Sequence, residues 1–340
     1  MNQKDIIRSY LRQAKYASAP NLTLAKKIYA DGDNNVLFSD VEAVRHVIRK
    51  MKGKNGKQCR AEGQWKNDVE EFGGKASGKK NPFPAVPKAK KHFSKWEALK
   101  VDSKRCLILS DIHAPFHDEK AVEAAVNYGK EKKIDTLILN GDCLDFFSIS
   151  RWEKNPLDRC FGEELKIAKA MFNYLRKTFP KARIIFKDGN HEERWLKFMT
   201  VKAIELLDVE CFSLPQLLSL AHFKIEHLGE KRPILLNGND FCVIHGHEFY
   251  GAGSGVNWAR GYQQKTKMNT ISGHLHRPQD HVENMPNGDV MESYASGCLC
   301  DLNPDYSPLN NWGHSFIYAE KKGKQKTKIQ NIRIVNGEIV

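Results

Sequence analysis

The chain has 340 residues, enough for one large domain with an appendage or for two domains with a substantial core. Its 41% apolar and 28% charged residues are ordinary for a globular protein, and no apolar run approaches the roughly 18–20 residues that span a bilayer, which excludes a helical membrane protein. The net charge of +13 is unevenly placed: residues 1–100 carry 22 basic and 10 acidic side chains, residues 101–340 carry 32 and 31, so the basicity belongs to the N-terminal third.

Met1-Asn2-Gln3-Lys4-Asp5 is not followed by the apolar stretch of a signal peptide, so a cytoplasmic protein is expected. Eight cysteines at 59, 106, 143, 160, 211, 242, 298 and 300 contain no Cys-x-x-Cys pair and read as reduced thiols.

Residues 1–58 have the pattern of a small helical unit. Ile6, Ile7, Tyr10 and Leu11 recur at helical spacing between Asp5 and Ala17, and Leu22 to Ala30 forms a second short helix. Asp31 to Asn35 is a turn, after which Ser39 is placed to cap a third helix, with Glu42 completing a capping box. Arg45, Arg49, Lys50, Lys52, Lys54 and Lys57 follow along and beyond that helix. This is the outline of a helix-turn-helix module and makes these six side chains candidate nucleic-acid contacts. The competing reading is a helical cap or assembly arm whose lysines suit the helix dipole. Residues 59–100, rich in Gly, Pro and Lys, read as a basic linker unable to bury a core.

From Val101 onward strands alternate with helices: a strand over 105–110, a helix over 119–132, a strand over 136–140, a helix over 162–179 and a strand over 183–187. That order calls for parallel strands joined by crossover helices. After Pro233 the pattern is strand-dominated, with runs at 234–236, 241–244, 270–272, 290–294 and 315–319 and a closing hairpin over 328–340 that turns at Asn336-Gly337.

The strands end in loops of metal-ligand chemistry. These are Asp111-Ile112-His113, Gly141-Asp142-Cys143-Leu144-Asp145, Gly189-Asn190-His191-Glu192, His245-Gly246-His247 and Gly273-His274-Leu275-His276. Residues two apart on a strand share a face, so Asp111 and His113 are expected to point the same way. Carboxylate with imidazole suits Mn, Fe or Zn better than Ca. Any one pair is a common turn motif; five in succession are not. Arg194, one helical turn after Asn190, could clamp an anion. His117, Asp118, His222, His227 and the tryptophans 152, 195, 258 and 312 have structural readings at least as strong, and the polar stretch 301–314 has the composition of a loop that could return to the site.

These five motifs resemble those of the calcineurin-like metallophosphoesterases, in the same order, over Asp111 to His276. The resemblance implies a four-layer αββα sandwich with a dinuclear centre of two divalent ions at the strand ends, Mn foremost, with Fe, Zn, Ni or Mg as alternatives. By motif position, Asp111, His113 and His276 would hold one metal, Asn190, His245 and His274 the other, with Asp142 bridging. A metal-bridging hydroxide would attack phosphorus, His191 would be the general acid oriented by Asp145, and Arg194 and His247 would stabilise charge on the phosphoryl oxygens. The whole layout, helical module, basic linker and phosphoesterase pattern, is similar to calcineurin-like phosphoesterases of bacteriophages and prophages. Double-strand-break nucleases of the family carry an acidic residue after Asn-His, an extra upstream His and a capping domain. Here Glu192 fits, Lys187 stands near the position of the extra His, and no large insertion is evident. Hydrolysis of nucleic acid or nucleotide phosphate esters is the leading expectation, ahead of a protein or small-molecule phosphatase with an assembly arm, and of a DNA-binding regulator with a vestigial domain.

Overall fold

The computed structural model describes residues 2–17, 19–52, 96–151, 160–249 and 256–340, in two compact units, one within 1–92 and one within 93–340. Lys54, Lys57, Trp152 and all of the linker before Trp96 lie outside the described residues.

In the first unit α1 (Gln3–Leu11), α2 (Ala14–Ala17), α3 (Asn21–Ala30), α4 (Asn34–Leu37) and α5 (Val41–Met51) bury Ile6, Ile7, Leu24, Ile28, Phe38, Val44 and Ile48 together. The first expected helix is thus broken in two, and the turn after α3 contains the short α4. The cap of α5 is Asp40, whose carboxylate accepts from the Ala43 amide at 2.7 Å, not Ser39; a carboxylate one residue on holds the next orphan N–H with a full charge.

The second unit holds β1 (Leu99–Val101), β2 (Arg105–Leu109), α6 (Glu119–Lys132), β3 (Thr136–Asn140), α7 (Phe161–Thr178), β4 (Arg183–Lys187), α8 (Glu193–Lys202), α9 (Leu214–Leu217), β5 (Ile225–Leu228), β6 (Ile234–Leu236), β7 (Phe241–Val243), α10 (Trp258–Thr266), β8 (Thr270–Ser272), β9 (Gln279–Asn284), β10 (Val290–Ala295), β11 (His314–Glu320), β12 (Lys328–Val335) and β13 (Glu338–Ile339). One sheet runs β13-β12-β11-β2-β3-β4-β5, with β2 to β5 parallel; the other runs β1-β6-β7-β8-β10-β9.

Strand parity makes the layers. Leu107, Leu109, Leu137, Leu139, Ile184 and Phe186 point to one face and pack with Val122, Val126, Phe172 and Leu175 of α6 and α7. The intervening Cys106, Ile108, Ile138 and Ile185 point to the other face and meet Ile234, Leu236, Phe241, Val243 and Ile271 of the second sheet. Cys242 and Ile244, on that sheet's far side, pack under Tyr262 of α10. A two-residue period thus explains helix, sheet, sheet, helix, and the fold is the expected αββα sandwich. The closing hairpin turns at Asn336 and Gly337, both at positive φ as a two-residue turn requires.

Candidate metal centre

The parallel strands deliver their loops to one end of the sheets, where α/β folds collect ligands. Asp111 and His113 do not converge by strand parity, because β2 ends at Leu109. They converge because both sit in the left-handed region, at φ 56° and 50°. Asp142, His274 and His276 do the same at 51°, 74° and 58°. For residues with a Cβ this conformation is uncommon, and its recurrence at five proposed ligands marks backbone strain concentrated at the site. Gly189 has a different reason: a Cβ there would collide with the backbone and carboxylate of Asp142, so only glycine lets the third loop approach the second.

The structure brings all seven expected ligands together. His113 Nε2 and His276 Nε2 stand 3.2 Å apart, with Asp111 Oδ1 at 4.0 Å and 3.3 Å from them. His245 Nε2 lies 3.2 Å from both Asp142 Oδ2 and Asn190 Oδ1. Asp142, His245 and His274 form one group of convergent donor atoms, and His113, Asp142 and His191 form another.

The ring orientations are set from behind. His113 Nδ1 is 2.9 Å from Asp145 Oδ2, and His245 Nδ1 donates to the Asn140 carbonyl at 2.8 Å, so both rings turn Nε2 inward. A neutral His245 therefore aims a lone pair at two oxygen acceptors. Asp111 Oδ1 and His274 Nδ1 are also buried without a hydrogen-bond partner. Buried acceptors facing one another are costly unless a cation lies between them, and this donor set fits divalent cations. With protons as the only cations, burial would depress His245, yet the charges of Asp142 and Asp111 outweigh it and lift the imidazole to about 10. Burial likewise opposes ionisation of Asp111, and the adjacent His245 and His276 reverse it, to about 2.

His191 is fixed in one tautomer: Nδ1 donates to the Asp145 carbonyl at 2.8 Å and Nε2 accepts from Arg194 Nη2 at 2.8 Å. Burial pulls this histidine down, but Asp142 and Asp145 prevail and its pKa is raised. Arg194 also places Nη1 on the Asp145 carbonyl at 2.8 Å, so its guanidinium is engaged with His191 and Asp145 rather than open to an anion. His247 sits at the rim with Nε2 3.0 Å from Glu193 Oε1. The 301–314 stretch does return: the Trp312 ring stands 4.1 Å from that of His276. Cys300 Sγ lies 3.9 Å from His276 Nδ1, behind the ring. Asp118 caps α6, His227 pairs with Asp188 and Trp195 is core, all structural roles.

Two carboxylates that sequence reasoning left without a role hold the loops. Glu192, buried, accepts from the amides of Asp142, Cys143, Leu144 and Gly189 at 2.8–3.0 Å. Glu248 accepts from the His245 and Gly246 amides at 2.9 and 2.6 Å and pairs with the buried Lys187 at 2.6 Å. Lys187 thus secures a ligand loop. The available signal was position: each glutamate directly follows a motif histidine, in Asn-His-Glu and in His-Gly-His-Glu.

Of the candidate nucleic-acid contacts, Arg45 is paired with Glu42 at 2.6 Å and Lys52 donates to the Ala19 carbonyl at 3.0 Å, burial lowering its pKa. Arg49 is half-buried and Lys50 exposed on α5. No helix among the described residues is long and apolar enough to cross a membrane, and the described cysteines are unpaired.

A four-layer sandwich whose strand ends gather Asp, Asn and His side chains is a metallophosphoesterase architecture. Residues 105–292 match the calcineurin-like phosphoesterase superfamily domain, and the chain belongs to that superfamily, which binds divalent metals. It is 26% identical over 249 residues to the Gene 54 protein of Mycobacterium phage L5, spanning 69% of this chain and 95% of that protein. With the Gene 54 protein of Mycobacterium phage D29 it shares 26% identity over 182 residues, 52% and 70% of the two chains. Similar solved structures include zinc-complexed Vps29 from Entamoeba histolytica, with TM-score 0.37 and 15% identity over 69% of this chain and 96% of that one. Yfce, a phosphoesterase from E. coli, has TM-score 0.31 and 14% identity over 63% and 87%.

Proposed function

We propose that this protein hydrolyses phosphate esters of nucleic acid or nucleotides with two divalent ions, Mn foremost, and that the basic N-terminal unit brings it to nucleic acid. The observation that carries the reading is His245, whose Nδ1 is held by the Asn140 carbonyl so that Nε2 stands 3.2 Å from the oxygens of both Asp142 and Asn190, an arrangement suited to a shared cation. Asp111, His113 and His276 would hold one ion, Asn190, His245 and His274 the other, with Asp142 between them. Bound there, the ions would neutralise phosphoryl oxygens and acidify a water to serve as the nucleophile.

The chain's own groups do the rest. Asp145 keeps Nδ1 of His113 occupied, so its Nε2 faces the centre. His191 holds its Nε2 toward Arg194 and 3.8 Å from Asp142 Oδ2, at the edge of the ligand set. To protonate a departing alkoxide it must carry a proton on Nε2, which requires Arg194 to turn away. An arriving phosphate offers the guanidinium a bidentate partner and so couples substrate binding to arming of the acid.

The test is a Mn-supplemented hydrolysis panel of DNA, RNA and small mono- and diesters, with metal content read in parallel. Asp142→Asn should lose both turnover and bound metal. His191→Ala should keep its metal and lose turnover by about 10²–10⁴-fold. Full activity in Asp142→Asn would reject the centre, and turnover confined to small esters would reject the nucleic-acid reading.

A further inference from the structure

Beside the metal centre lies a cavity of about 770 Å³ that none of the expected ligands lines. Its walls come from the start of β9, the end of β12 and the loop before β11: Arg277, Pro278, Asn311, Trp312 and Arg333 are among them. Two links tie it to the centre. Arg277 directly follows His276 in the chain, and Trp312, which lines the cavity, has its ring 4.1 Å from that of His276.

Its charge is one-sided. Arg277 and Arg333 line the cavity, and among the described residues no carboxylate does. Among the described residues neither guanidinium has a side-chain hydrogen bond or ion pair, whereas Arg45, Arg183 and Arg194 all do. Arg333 is exposed on β12, and Arg277 is half-buried. Two unpaired guanidinium forks in a concavity make a phosphate seat, and an indole beside them offers a nucleobase a surface. The volume is within the range of small-ligand sites.

We infer that this cavity seats the nucleotide next to the scissile bond, with Arg277 and Arg333 on its non-scissile phosphate and Trp312 against its base. This rests on the phosphoesterase reading above, since a flanking site has meaning only beside a reacting phosphate. The chemistry recognised is a nucleoside joined to a second phosphate, as along a single strand; a monoester with one phosphate leaves the guanidiniums unused.

Binding can be read apart from hydrolysis. The full-length protein in EDTA is titrated with thymidine 3′,5′-bisphosphate, thymidine 5′-monophosphate and inorganic pyrophosphate. Arg277→Ala and Arg333→Ala should each weaken bisphosphate binding about tenfold, while Arg333→Lys recovers part of the loss. Trp312→Ala should weaken both nucleotides and leave pyrophosphate unchanged. Bisphosphate affinity unaltered in the Arg277→Ala/Arg333→Ala double variant, checked for native thermal unfolding, overturns the assignment. So does pyrophosphate binding as tightly as the bisphosphate, which would make the cavity an anion site without a nucleoside. If the wild type hydrolyses no ester with Mn while the arginine variants still lose bisphosphate, the cavity stands and the catalytic reading falls.

Discussion

Replacing Lys187 with Met is the sharpest test of how the centre is held. The Lys187 side chain is 1% exposed and that of Glu248 8%, with their charged ends 2.6 Å apart. Burial pushes the Glu248 carboxyl up, but Lys187, His247 and His245 hold it at about 2, so it is charged at neutral pH. Met conserves the stem and removes the charge, leaving a buried carboxylate with the His245 and Gly246 amides and with His247 Nδ1 3.8 Å away. Stranding one partner of a buried pair costs about 3–5 kcal/mol, and for a unit of this size each kcal/mol lowers Tm by roughly 2–4 °C, so a fall of about 6–20 °C is expected. Because Glu248 fixes the backbone of His245, Mn affinity should also drop by about 10–100-fold in calorimetric titration. Adding Glu248→Gln removes the stranded charge and should restore part of the stability, giving a coupling energy of about 1 kcal/mol or more in the double-mutant cycle. A Lys187→Met loss below about 1 kcal/mol with unchanged Mn affinity would refute the claim that this pair holds the loop.

The parts of this protein that were legible in its sequence share a physical reason. Strands β2, β3 and β4 are buried on both faces and so read as unbroken apolar runs, and α6 and its boundaries follow from its periodicity. The candidate ligand set was legible because holding a divalent cation demands particular side chains, which no packing argument would place in five successive loops. Strands β5 and β9 were not legible: both are sheet edges, and Ile-Glu-His-Leu and Gln-Asp-His-Val-Glu-Asn carry the polar residues that edges tolerate. Helix α10, with Gly261 and polar side chains on its outer face, lacked a long apolar stripe. The loop-holding roles of Glu192, Glu248 and Lys187 depend on which loops the topology makes neighbours. Glu192 accepts from amides 48 to 50 residues away, and nothing in its local pattern specifies them. The convergence of Asp111 and His113 was expected on the wrong ground, strand parity, where left-handed backbone produces it.

Two further perturbations follow from the same geometry. Asp240 accepts from Lys321 and twice from Thr327; burial opposes its charge, these donors override that, and its pKa is lowered. Its stabilisation is therefore present above the unfolded carboxyl value of about 4 and is lost as pH falls through the lower native one. Asp240→Asn should cost about 1 kcal/mol in urea unfolding at pH 7 and much less at pH 3, and an equal cost at both would refute the charge's role. Glu192→Gln tests the other loop anchor. Each carboxylate oxygen accepts two amides, and the amide nitrogen of Gln would face two donors with a donor of its own, so at least two bonds are lost. Unsatisfied buried donors cost about 1–3 kcal/mol each, which predicts a destabilisation of about 2–6 kcal/mol in urea unfolding. The anchored amides include that of Asp142 itself, so the damage must also reach the ligands. Mn affinity should fall in Glu192→Gln, whereas Asp240→Asn, at the opposite end of β7 from the His245 loop, should lose stability with Mn affinity intact. Equal Mn affinity in both variants would show that the Asp142 loop keeps its geometry without Glu192.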